Sequence, residues 1–156
     1  MITTPRPWWL SPWISIRAQL GLGAVFVAAA LPKILDPPSF AHMIYNYRLL
    51  PGFAINGLAL WLPWVELLAG LALVLGIWKR TAAGVTAVLL LVFVAALSFN
   101  LARGNPVNCG CFDVHAKDKP RAELLGEMRW TILRDVGLLI LAAQVLAANA
   151  RRSDGL

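Results

Sequence analysis

The sequence predicts an all-α membrane protein, a bundle of four transmembrane helices with short interfacial amphipathic helices. Hydrophobic residues make up 59% of the 156 residues and charged residues only 14%, against roughly 45–50% and about 25% in soluble domains. Four long apolar stretches follow one another, and a helix needs about 20 such residues to cross a bilayer. Because no linker or repeat divides the chain, we expect one domain over residues 1–156.

The predicted spans follow these apolar stretches. The third is the clearest, because the 22 residues 81–102 include no charged side chain. The second has one ionisable residue, Glu66, within the 30 residues 49–78. The first and last have charge-free runs of 15 residues each, at 18–32 and 136–150, which flanking basic side chains extend by snorkelling. The expected spans are therefore about 14–35, 54–78, 81–102 and 130–149.

A cleaved signal peptide is the competing interpretation of the first span. Arg6 and Arg17 precede an apolar core that ends in Ala28-Ala29-Ala30. The apolar stretch begins late, however, and continues to Leu35, which favours a retained helix.

The short charged segments predict the orientation in the membrane. Four spans place both termini on the same side as the link at Lys79-Arg80, and Arg151-Arg152 adds a second basic pair there. The positive-inside rule therefore predicts cytoplasmic termini in a bacterial inner membrane, with the loop 103–120 in the periplasm. The net charge of +6 fits anchoring to anionic lipid in the bilayer, and no nucleic-acid partner is expected.

Two short amphipathic helices are expected in the longer loops. Asp36 and Ser39 are candidate caps for the first, whose apolar residues recur at helical spacing over residues 40–50 before Pro51 ends it. The second is expected at residues 121–130. Together they would cover one end of the bundle.

The two cysteines are the strongest chemical feature. Cys109 and Cys111 flank Gly110 in a polar loop, and the chain has no other cysteine. Glycine has no Cβ to resist the bend that joins the two sulfurs. A disulfide across so small a ring is strained and therefore a better oxidant, so we expect the pair to accept electrons from a partner's dithiol. The alternatives are a structural bridge and a metal site with His115, but these three ligands leave a tetrahedral site incomplete and no metal is expected.

Glu66 is the second candidate catalytic residue. A carboxylate inside an apolar span costs about 2.5–3.5 kcal/mol on insertion scales, so it should face the interior of the bundle, a partner or water. It can act as a proton relay or orient the headgroup of a cofactor. It can equally form a buried ion pair with Lys33 or Arg48, and the sequence leaves these possibilities open.

Three residues near the same end of the bundle are candidates for binding a cofactor: Trp64, Tyr47 and Arg48. Trp64 and Trp61 flank Pro63, where a kink is expected, and either line a pocket or pack in the core.

Other polar residues have simpler interpretations. His42, Tyr45 and Arg48 recur at intervals of three, so they share a helix face that is either turned toward the cysteine loop or solvated. Arg134 and Asp135 are expected at the mouth of the last helix and are assigned no catalytic role.

Four motifs taken in order show a resemblance to a known family. They are Leu31-Pro32-Lys33-Ile34-Leu35-Asp36-Pro37, Asn46-Tyr47-Arg48-Leu49-Leu50-Pro51, Leu62-Pro63-Trp64-Val65-Glu66-Leu67-Leu68-Ala69-Gly70 and Asn108-Cys109-Gly110-Cys111-Phe112. With them the chain resembles the methylamine utilisation protein MauE family, within the DoxX-like four-helix membrane proteins. The family has glycine where this chain has Asp113, a residue that tolerates a left-handed backbone.

The resemblance implies thiol–disulfide chemistry with a thioredoxin-fold periplasmic partner and a disulfide-containing client, such as the small subunit of methylamine dehydrogenase. We therefore expect a membrane thiol–disulfide oxidoreductase or an electron-transfer accessory. A quinone bound between the helices is the candidate cofactor, by analogy of function with disulfide bond formation protein B and vitamin K epoxide reductase. The alternative is a non-catalytic membrane anchor or chaperone for a redox partner, in which the cysteine pair is structural.

Overall fold

The computed structural model describes residues 11–107 and 120–153. In these ranges the chain forms five helices and no strand. The helices are α1 (Pro12–Leu35), α2 (Pro37–Asn46), α3 (Gly52–Leu75), α4 (Lys79–Ala102) and α5 (Arg121–Ser153). All except α2 are long and apolar enough to cross a bilayer. The predicted fold class, four membrane-spanning helices, is confirmed.

The helix ends differ from the predicted spans for local reasons. α1, α3 and α4 each begin two residues before the expected position. α3 ends at Leu75 because Gly76 adopts a left-handed φ of 72°. The amide of Ile77 then donates to the carbonyl of Ala72 at 2.9 Å, which closes the helix end.

The two predicted interfacial helices have different outcomes. Asp36 caps α2, since its Oδ1 accepts from the Ser39 amide at 3.1 Å and its Oδ2 from the Ser39 hydroxyl at 2.7 Å. α2 ends at Asn46, earlier than expected, and Arg48 beyond it has a left-handed φ of 51°. The stretch 121–130 is the first part of α5 and not a separate helix, because it carries Met128 into the core with 0% exposure.

The spans form a ring in the order α1, α3, α4, α5. α1 packs against α3 and α5, α4 packs against the same two neighbours, and α2 lies on α3. The ring encloses a core of apolar side chains that includes Leu22, Leu73 and Val145. Large apolar side chains such as Leu68, at 63% exposure, point outward, as expected where the surrounding solvent is lipid.

α1 and α3 approach most closely at a pair of glycines. A Cβ on Gly70 would lie 2.9 Å from the carbonyl oxygen of Gly23, and a Cβ on Gly23 would lie 2.8 Å from the carbonyl oxygen of Gly70. Beside this crossing, the side-chain amide of Gln19 donates to the carbonyl of Leu73. Small residues allow such backbone contact between membrane helices, and the contact fixes how α3 is placed against α1.

Gly70→Ala should lower the free energy of unfolding by about 1–3 kcal/mol, because the added methyl overpacks a contact between two backbones. Gly57→Ala on the same helix is the control, since a Cβ added at Gly57 would meet nothing within 4 Å. Unfolding of each variant in mixed detergent micelles measures the difference. Equal stability of the two variants would contradict close packing at the glycine pair.

Candidate functional site

Glu66 forms a buried ion pair with Lys33 of α1. The Lys33 ammonium donates to both carboxylate oxygens, at 2.7 and 2.9 Å, and the two side chains are 6% and 13% exposed. The same ammonium lies 5.2 Å from the centre of the Phe40 ring on α2. Of the two ion-pair partners considered from the sequence, the structure places Lys33 at Glu66, whereas Arg48 is exposed. A proton relay through Glu66 stays a prediction.

A second ion pair adjoins the first. Arg134 donates to Asp135 Oδ1 through Nε at 2.9 Å and through Nη2 at 2.8 Å, and the Asp135 side chain is 1% exposed. A small cavity of about 50 Å³ is lined by all four charged residues. Three helices therefore contribute two bases and two acids to one charge layer around this cavity, which is buried apart from Arg134, whose side chain is 27% exposed.

The position of the second pair differs from its predicted place at the mouth of the last helix. Because α5 begins at Arg121, Asp135 lies about four turns inside it. Sequence reasoning therefore missed its part in the charge layer. The available signal was the adjacent acid and base inside an apolar helix, a combination that is expensive in lipid unless it is paired in the interior.

A larger cavity of about 600 Å³ lies between α2, α3 and α4. Glu66 lines this cavity and is the only charged residue among the described residues that line it. Tyr47 lines it from just beyond α2, and its ring lies 6.4 Å from that of Phe93 on α4, with the planes tilted by 41°. The structure thus brings two predicted site residues, Glu66 and Tyr47, to one apolar cavity of a size typical of ligand sites.

The other predicted cofactor residues lie elsewhere. Trp64 and Trp61 are 48% and 71% exposed, so the expectation that they pack in the core is not met, and they line neither of these two cavities. His42, Tyr45 and Arg48 are all exposed, as expected of a solvated face. Arg48 does not line the larger cavity.

The segment that enters the cysteine loop is held at the α2 end of the bundle. The side-chain amide of Asn105 donates to the carbonyl of Asn46, the last residue of α2, at 3.4 Å, and to Asn100 Oδ1 at 3.2 Å. Arg121, where the chain returns into α5, donates to the carbonyl of Gly104 at 2.8 Å. Both ends of the connection between α4 and α5 are therefore fixed at one place.

Val107 links this connection to the wall of the larger cavity. It is 4% exposed, its amide donates to the sulfur of Met128 at 3.4 Å, and it clusters with Tyr47, which lines the cavity. Cys109 and Cys111 lie outside the described residues. In the sequence, Cys109 follows Val107 by two residues.

The chain matches a known family over most of its length. Residues 11–148 match the family model described as methylamine utilisation protein MauE. The chain is 35% identical to a methylamine utilization protein MauE from Paracoccus denitrificans over 94% of this chain and 78% of that protein. It is 34% identical to the protein of that name from Methylorubrum extorquens over 86% of this chain and 72% of the relative.

A third relative, the methylamine utilization protein MauE of Methylophilus methylotrophus, is 38% identical over 64% of this chain. The match spans about half of that protein, 53% of its length. No solved structure matches the chain. With the family model matched from the start of α1 almost to the end of α5, this chain belongs to the MauE family, which is involved in methylamine utilisation.

Proposed function

We propose that this chain is a membrane thiol–disulfide oxidoreductase whose Cys109–Cys111 pair exchanges disulfides with a thioredoxin-fold protein in the periplasm. The observation that supports it most directly is the anchoring of the connection that holds the only two cysteines. Asn105 and Arg121 fix this connection at both ends, beside α2. In the proposal, the partner docks at that end of the bundle.

The exchange conserves atoms and electrons. A thiolate of the partner's dithiol attacks one sulfur of the Cys109–Cys111 disulfide, so a mixed disulfide forms and the other cysteine leaves as a thiolate. The partner's second thiolate then attacks the partner's sulfur in the mixed disulfide and displaces the cysteine of this chain as a thiolate. The partner ends as a disulfide, and this chain ends as a dithiol that holds two electrons.

Family membership supports the choice of client. The relatives are named for methylamine utilisation, and the proposed client is a disulfide-containing protein such as a methylamine dehydrogenase subunit. The oxidised partner would pass its disulfide to that client. In the competing hypothesis, the chain only anchors the partner in the membrane and the cysteine pair does not turn over.

We expect a membrane-impermeant maleimide to label reduced Cys109 and Cys111 in intact spheroplasts, because the proposal requires them in the oxidising periplasm. The control is Arg80→Cys in a chain in which both native cysteines are serine. Arg80 is exposed at the opposite end of the bundle, at the start of α4, so it should be labelled only after lysis. The reverse pattern would place the native pair in a reducing compartment and refute the oxidase.

A further inference from the structure

We propose that the cavity between α2, α3 and α4 binds the ring of a lipid-soluble quinone and its hydroquinone. The occupant must be mainly apolar, since the 600 Å³ cavity is lined by aliphatic and aromatic side chains apart from the Glu66 carboxylate and the Tyr47 hydroxyl. Phe40, Phe93 and Phe99 supply aromatic faces on which a planar ring packs favourably.

The charge at the cavity restricts the headgroup. Lys33 neutralises Glu66 at 2.7 Å and does not itself line the cavity. An anionic head, such as that of a fatty acid or an acidic phospholipid, therefore finds no base among the described lining residues, and a cationic head finds no uncompensated acid. A neutral headgroup that offers a hydroxyl fits best, because a carboxylate oxygen in an ion pair still has lone pairs that accept hydrogen bonds.

The mouth of the cavity indicates where the occupant comes from. Leu58 on α3 and Val92 and Phe99 on α4 line the cavity and are 37%, 63% and 49% exposed. These apolar side chains lie on the outer surface of membrane-spanning helices. The cavity therefore opens toward lipid, where isoprenoid quinones are dissolved, and a tail can remain outside while the ring lies near Glu66.

Glu66 also favours one redox form of such a ligand. A hydroquinone hydroxyl donates a hydrogen bond to a carboxylate, whereas a quinone carbonyl, itself an acceptor, gains nothing from it. Tighter binding of the reduced form raises the reduction potential of the bound couple by linkage. A tenfold preference corresponds to about 30 mV for two electrons. The bound quinone is then a better electron acceptor than the same quinone in the bilayer.

The redox step rests on the proposed function. The Cys109–Cys111 dithiol loses two electrons and two protons and becomes a disulfide. The quinone gains both at its two carbonyl oxygens and becomes a hydroquinone, so the chain is ready to oxidise another partner. Binding itself does not depend on the cysteines.

The test is photolabelling of the full-length chain in nanodiscs by an azido-benzoquinone, with the labelled peptides mapped by mass spectrometry. Both cysteines are replaced by serine, so that a failure of quinone binding and a failure of thiol exchange are measured separately. We expect labels in α2 and in the cavity-lining part of α4. Decylubiquinol should displace the probe at a concentration about tenfold lower than decylubiquinone does.

Three variants decide the interpretation. Val92→Trp fills the cavity mouth and should reduce labelling at least tenfold. Val88 lies one turn earlier on α4, is 58% exposed and does not line the cavity. The extent of labelling of Val88→Trp should therefore be within twofold of that of the parent chain. Glu66→Gln should remove the preference for the hydroquinone. The proposal would be overturned if the two tryptophan variants were labelled equally. It would also be overturned if oleate or phosphatidylglycerol displaced the probe as effectively as decylubiquinol does.

Discussion

Lys33→Met should lower the free energy of unfolding by about 3–5 kcal/mol, because it leaves the buried Glu66 carboxylate without its base. The Lys33 ammonium is 2.7 Å from Glu66 on α3, and Lys33 lines one small cavity together with Asp135 on α5. Its loss therefore affects contacts of α1 with both α3 and α5. The effect is measured by unfolding the protein in mixed detergent micelles and monitoring the transition by circular dichroism.

Glu66→Gln should cost less than Lys33→Met. The amide oxygen still accepts a hydrogen bond from Lys33, and Lys33 still shares a small cavity with the Asp135 carboxylate. The double variant Lys33→Met, Glu66→Leu removes both members of the pair and should recover much of the stability lost in Lys33→Met, since no charge of that pair is left buried. If the stability lost in the double variant equals the sum of the losses in Lys33→Met and Glu66→Leu, the two residues do not act as a pair.

Cys109→Ser and Cys111→Ser should each abolish the chain's contribution to client maturation, because disulfide exchange needs both an attacked and a leaving sulfur. The double variant should be no worse than either single variant, since residues that act as a unit are not additive. The folding stability of the variants should stay close to that of the parent, because a bridge across so short a loop constrains the unfolded chain very little. The measurement is the fraction of client with correct disulfides in cells that carry each variant.

Charged residues are costly inside a bilayer, so membrane spans are long apolar runs that can be read from the sequence. The four spans were predictable for this reason. Helix ends were less predictable. Gly76 ends α3 through a left-handed turn that hydropathy does not detect. The continuous α5 was missed because the charged residues at 121–130 resemble an interfacial segment, although Met128 in that stretch is fully buried.

The site was predictable only where charge was involved. The cost of burying Glu66 correctly placed it in the interior, and Lys33 was one of two candidate partners. Apolar residues carry no such information, because in a membrane the lipid-facing and core-facing sides of a helix are both apolar. Trp64 and Trp61 therefore gave no sign that they point outward, and the cavity beside Tyr47 depends on how α2 lies against α3 and α4.

The proposed exchange passes through a mixed disulfide, and trapping that species is its most direct test. A single-cysteine variant has no disulfide for the partner to attack, so the complex forms in the reverse direction. The remaining thiolate attacks the disulfide of an oxidised thioredoxin-fold protein and should stay linked to it when the resolving cysteine is serine, in a complex that reductant dissolves. We propose that Cys109, the cysteine nearer the polar run that begins at Gly104, forms this bond, so Cys111→Ser should accumulate the complex and Cys109→Ser should not. A pair that remains oxidised throughout, tolerates serine at both positions and yields no mixed disulfide would contradict the account and leave the chain a membrane anchor.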